Sequence, residues 1–276
     1  MTVTNGNSQA AILATVSFIP SQCLPLGLLG ELYSYPETSR FFASQSPIIE
    51  TLQRLELSPE LVSLVHSAAC LVRDTEAWPQ YGLDAMDLQN MYSISLHDLM
   101  RWYVDHVEHA AGQPVTANGI ICLSLFMLLA FICRGRQAVH GPLPSTIDRL
   151  KRHCAADDVL EPLEGTGLDV WIAVLAVMGS RGYRDEDFFM QQFASVIESQ
   201  TEPIESFEVL RQRLGAILWF DTLDQYAASI WDYFATAGED NEQPLPPVEL
   251  PNQTLLNPYT HGHPAGQVEQ FGDVFD

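Results

Sequence analysis

The sequence predicts an all-α protein: a single multi-helix domain between an irregular N-terminal segment and a disordered, acidic, Pro-rich C-terminal tail. Three observations carry that prediction. Apolar residues recur three and four places apart through most of residues 46–237, the spacing that lines one face of a helix. Helix-start signals stand ahead of those runs. The clearest is Ser58-Pro59-Glu60, which supplies a cap, a residue pre-set for the first turn and a carboxylate at the positive end of the helix dipole. No run alternates polar and apolar residues as a half-buried strand does, and no hairpin signal joins two such runs.

Residues 1–45 read as irregular, because Pro20, Pro25 and Pro36 interrupt short apolar stretches and each proline removes a backbone donor. The first well-capped helix follows Ser58, with Leu61, Leu64, Val65, Ala68, Leu71 and Val72 at helical spacing. "SLHDLMRWYVDHVEHAAG" reads as an amphipathic helix with Leu96, Leu99, Tyr103, Val107 and Ala110 on one side, ended by Gly112 and Pro114. "GIICLSLFMLLAFICRG" is apolar all round, the mark of a helix buried on most sides. It offers about fifteen residues between Gly119 and Arg134, short of the roughly twenty a membrane span requires.

"PSTIDRLKRHCAA" is a short amphipathic helix with the densest basic cluster, Arg149, Lys151 and Arg152. "LDVWIAVLAVMGSRG" is a second strongly apolar helix, closed by Gly179 or Gly182, and "DEDFFMQQFASVIES" follows with Asp185 as its expected cap. The last helix is expected to run unbroken from Ser206 to Phe234, roughly 42 Å. Its stripe Phe207, Leu210, Leu214, Ile217 gives way to a rotated one, Trp219, Leu223, Tyr226, Ile230, with Trp231 beside it. Such a rotation predicts a change of packing partner or a bend near Gly215. Trp219, Leu223, Tyr226 and Trp231 are therefore either core or the lining of an effector pocket. Past residue 237 proline, acidic and small residues dominate, the composition of a disordered tail.

Charge narrows the function. Thirty-five acidic residues face thirteen basic ones, for a formal charge of −22, and Lys151 is the only lysine. Such a surface repels phosphate backbones and anionic membranes, so neither is an expected partner. Cys23, Cys70, Cys122, Cys133 and Cys154 form no CxxC pair; buried free thiols in an intracellular, reducing compartment are expected rather than zinc or a disulfide.

Three constellations have the right residue types for chemistry. His97, His106 and His109 share one expected helix, and the last two are spaced to share a metal. Two histidines on an exposed acidic face are the plainer reading. Asp157, Asp158 and Glu161 fit the DDxxE pattern with which helical terpene synthases hold magnesium and a prenyl diphosphate. Clustered carboxylates suit such hard cations. Yet no second metal motif accompanies them and Pro162 follows at once, so an acidic loop is the expectation. His261 and His263 lack a third ligand. No catalytic, cofactor-binding or metal-binding residue is assigned.

The order of these segments resembles the effector, middle-homology-type region of fungal zinc-cluster transcription factors. There an apolar helix precedes a short amphipathic one. A tryptophan-bearing helix with a closing glycine comes next, matching Trp171 and Gly179, then an Arg-aromatic segment, matching Arg184 to Phe189. A helix with Leu-Trp and a second Trp ends the region, matching Leu218, Trp219 and Trp231. The resemblance covers about residues 50–236. It implies a non-enzymatic regulatory domain acting in the nucleus through protein partners or a small effector. The family's six-cysteine zinc cluster has no counterpart among the five cysteines, so direct DNA binding is not implied.

Overall fold

The computed structural model describes residues 47–55, 57–81, 85–109, 117–134, 143–155 and 161–237. The segments 1–45 and 238–276, expected to be irregular and disordered, lie outside those residues. All regular structure among the described residues is helical. In chain order the helices are α1 (Pro47–Arg54), α2 (Pro59–Tyr81), α3 (Ala85–Tyr103), α4 (Ala117–Arg134), α5 (Leu143–Cys154), α6 (Leu168–Ser180), α7 (Glu186–Glu198), α8 (Phe207–Ile217) and α9 (Asp224–Ala237). A π-helical turn, Val104–Glu108, extends α3, and single 3₁₀ turns lie at Glu161–Leu163 and Asp221–Leu223.

The two helices that are apolar all round become the interior. Every residue of α6 is buried, and α5, α7, α8, α9 and α4 all dock on it. From Ile120 to Ala130, α4 is buried on every face, between α2, α3, α5 and α6. A helix with no polar face has no side to give to water, so the amphipathic helices must surround it. Each large side chain so buried stabilises by about 1.5–3 kcal/mol. α1 closes the far side, against α2 and α8. No helix among the described residues is long and apolar enough to cross a membrane.

Local chemistry sets the helix ends. The Ser58 hydroxyl accepts the Leu61 N–H at 3.2 Å, as the sequence predicts for an N-cap. Ahead of α6, Gly165 and Gly167 adopt φ of 68° and 81°, a left-handed conformation that side chains resist. The buried Asp169 carboxylate then takes N–H bonds from Gly165 at 3.2 Å, Val170 at 2.9 Å and Gln200 at 2.9 Å. Asp185 sits at the N-cap of α7, but its side chain does not cap. It accepts from Lys151 Nζ at 2.7 Å instead, and that hydrogen bond holds its carboxyl below the usual range.

The expected unbroken C-terminal helix is two helices. α8 passes straight through Gly215 and ends at Ile217; Leu218 and Phe220 are extended, with φ/ψ of −161°/114° and −127°/120°. The reason is burial on too many sides. Leu218, Trp219 and Phe220 are consecutive and all buried, whereas in a helix they would point in directions about 100° apart. An unbroken helix would also carry Asp221 and Asp224 along the apolar stripe that ends at Ile217.

Candidate functional site

The joint between α8 and α9 is held from both sides. Trp171, fully buried in α6, donates its indole N–H to the Leu218 carbonyl at 2.6 Å. Trp219 donates to Asp224 Oδ1 at 2.9 Å. Arg211 spans the break, with Nε on Asp224 and Nη2 on Asp221 at 3.1 Å. The Leu218 carbonyl released by the break thus finds a donor on α6, while the other bonds join side chains of α8, the joint and α9.

Beside this joint lies a cleft of about 270 Å³. Val72, Ile217, Leu218 and Trp219 make its floor, and all four are buried. Arg73, Glu76, Arg211, Gln212, Gly215 and Asp221 form its rim. α2 supplies one wall because Val72, Arg73 and Glu76 fall within one turn of each other. The Glu76 carboxyl is raised above its usual range, first by the burial around it and then by the Asp221 carboxylate, against the opposing pull of Arg73. The accessible lining of the cleft is mostly polar, and its volume falls just below the usual range of small-ligand sites, roughly 300–1,000 Å³.

The four aromatic and aliphatic residues that the sequence singles out do not form one pocket. Trp219 lines the cleft and Leu223 is buried. Tyr226 is half-buried, its hydroxyl enclosed and without a partner among the described residues. Trp231 faces another way, with its ring 5.7 Å from that of Phe234, which in turn lies 5.5 Å from Phe193. Trp231, Phe234 and Phe193 are packing residues.

The histidines of α3 are separately engaged. His97 approaches Asp98 at 3.4 Å. His106 stacks on Trp102 with centroids 4.9 Å apart and its Nδ1 lies 3.0 Å from the Trp102 carbonyl. His109 Nδ1 lies 3.8 Å from Asp105. Among the described residues no three His, Cys, Asp or Glu side chains are placed to hold a metal. Asp157 and Asp158 lie outside the described residues, as do His261 and His263, and Glu161 opens a 3₁₀ turn. Cys70 and Cys122 are buried and Cys133 and Cys154 half-buried, none of the four in a disulfide, and Cys23 lies outside the described residues.

A second polar arrangement went unread in the sequence. The Tyr103 hydroxyl and His153 Nε2 are 2.6 Å apart in the core, and His153 Nδ1 is buried without a partner among the described residues. Burial lowers the imidazole to about 4, helped by Arg152 and opposed by Glu108. Burial likewise pushes the Tyr103 phenol up to about 12. The π turn that follows Tyr103 adds a residue to the coil, and Glu108 at its end accepts from Arg149 at 2.6 Å. The signal was present: Leu143, Thr146, Ile147, Leu150 and His153 are all buried on the inner face of α5.

Compared with known proteins, the chain matches no family model, no curated protein and no solved structure.

Proposed function

We propose that the helical body is a non-enzymatic regulatory domain that binds a small effector in the cleft between α2 and the α8–α9 joint. In this reading occupancy is passed to protein partners, in the nuclear, transcription-controlling role that the resemblance to fungal zinc-cluster factors implies. One observation carries it. Trp219 forms the floor of a cleft at a helix break whose other side is bonded to α6, the helix on which five others dock. A ligand seated there touches the joint directly, and the joint touches the core. The charge of −22 favours regulation through proteins over direct contact with nucleic acid.

The test is a metabolite screen read by intrinsic fluorescence and thermal shift, with Trp219→Phe as the comparison. A saturable change that fades in the variant supports the reading. Flat signals in both proteins across the screen refute it. Salt-sensitive capture of bare duplex DNA by the purified chain would show that the acidic surface does not exclude nucleic acid.

A further inference from the structure

α5 grips the end of α3 at two points, and their spacing is one that an α-helix does not supply. His153 Nε2 lies 2.6 Å from the Tyr103 hydroxyl, and Arg149 Nε donates to Glu108 Oε1 at 2.6 Å. On α5 the two gripping residues are four apart, so they stand one above the other on one face. Their counterparts, Tyr103 and Glu108, are five apart. In a straight α-helix five steps of about 100° leave two side chains about 140° apart, too far round to meet one face of a neighbour. The π turn from Val104 to Glu108, closed by the His109 N–H on the Val104 carbonyl at 3.0 Å, takes up the extra residue. Such turns are rare, and here α5 holds both ends. Arg149 also lies over the Tyr103 ring, 6.0 Å from its centroid.

The His153 grip has no room for a second proton. The ring is buried against Gly119 of α4, where an added Cβ would lie 3.3 Å from His153 Cε1, and Nδ1 has no partner among the described residues. Arg152 repels a charge on the ring, and Glu108, already bonded to Arg149, attracts it more weakly. From α4 the Cys122 thiol acts on Tyr103, and burial keeps that thiol protonated. A second proton would therefore place a charged N–H in the core with no acceptor. His106 and His109 lie on the exposed side of the turn, where a proton strengthens their contacts with the Trp102 carbonyl and Asp105.

We infer that the end of α3 is a proton-released latch: with His153 neutral, α5 holds the π turn closed, and a proton on His153 expels the ring and lets residues 104–109 open. Opening uncovers Val104, Val107 and the Gly119 end of α4. Between the ordinary imidazole value of 6.5 and the folded value of about 4, each pH unit of acidification raises the open population up to tenfold. None of these residues lines the cleft, so the latch does not depend on the effector reading.

Amide hydrogen exchange of the full chain, resolved by residue in NMR spectra at pH 7, 6 and 5, tests this. Protection factors remove the intrinsic pH dependence of exchange. Protection of the 104–109 amides should fall roughly 20-fold from pH 7 to pH 5, while staying at least tenfold below that of the α4 and α6 amides. In His153→Gln the pH slope should vanish. Arg149→Ala leaves the core side chains in place and should lower protection of the same amides roughly 2- to 10-fold already at pH 7. A flat profile in the native sequence, a slope retained in His153→Gln, or unchanged protection in Arg149→Ala overturns the latch. So does exchange of the 104–109 amides only in step with those of α4 and α6, because the opening would then be of the whole domain.

Discussion

His153 makes the domain's stability depend on pH in a predictable direction. The imidazole is 5 % exposed on the inner face of α5. Its ordinary value of 6.5 is lowered to about 4, with burial the main cause. Between those values the unfolded chain binds a proton that the folded chain refuses, so stability falls as the pH drops through that window and levels off below about 4. At about 1.4 kcal/mol per pH unit, acidifying from pH 7 to pH 5 removes about 2 kcal/mol, a sizeable share of a domain's usual stability. The assay is urea unfolding at pH 7, 6 and 5, comparing the native sequence with His153→Gln. Glutamine keeps a polar partner for the Tyr103 hydroxyl but does not titrate. Dilute protein and a floor of pH 5 avoid the isoelectric region near 4.5. The substitution leaves every carboxyl in place, so the gap between the two proteins reports the imidazole. It should narrow by about 2 kcal/mol on acidification. Parallel curves from pH 7 to pH 5 would refute the buried neutral imidazole.

Other residues give independent checks. Gly215 lies inside α8 with nothing within 4 Å of an added Cβ, so Gly215→Ala should stabilise by about 0.5–1 kcal/mol and raise Tm by roughly 1–4 °C in calorimetry. Trp171→Phe removes the donor to the Leu218 carbonyl and should cost about 1–3 kcal/mol in urea titration; an unchanged midpoint would mean that the joint is not held there. The Cys122 thiol donates to the Leu99 carbonyl at 3.3 Å, and burial pushes its pKa up. It should resist a thiol reagent until the chain is unfolded, as mass spectrometry of labelled peptides would show.

The interior was legible because its signal is local. The apolar runs in α4 and α6 exceed what an exposed helix tolerates, and Ser58-Pro59 announces α2 within three residues. The break after Ile217 was not legible, because Trp219, Leu223, Tyr226 and Ile230 also fit helical spacing on a rotated face. What ends α8 is three consecutive buried side chains and the Trp171 indole, 47 residues away in sequence. The cleft depends on such a meeting too: Glu76 and Asp221 come together through tertiary packing, and neither carries a motif. Trp219 was singled out for its place in an aromatic run, and only the fold separates it from Trp231, which packs elsewhere. The π turn after Tyr103 is equally silent, since an added residue in a helix leaves the composition unchanged.

The place of α6 in the chain has a consequence for synthesis. Helices α1 to α5 are complete by residue 154, yet the segment on which α5, α7, α8 and α9 assemble begins only at residue 168. A nascent chain must therefore carry the greasy flanks of α4 and α5 uncovered while the ribosome makes the last third of the body, at about 5–20 residues per second. Over those seconds the half-made protein is a natural client for chaperones, and slowing elongation within this stretch would lengthen its exposure to aggregation.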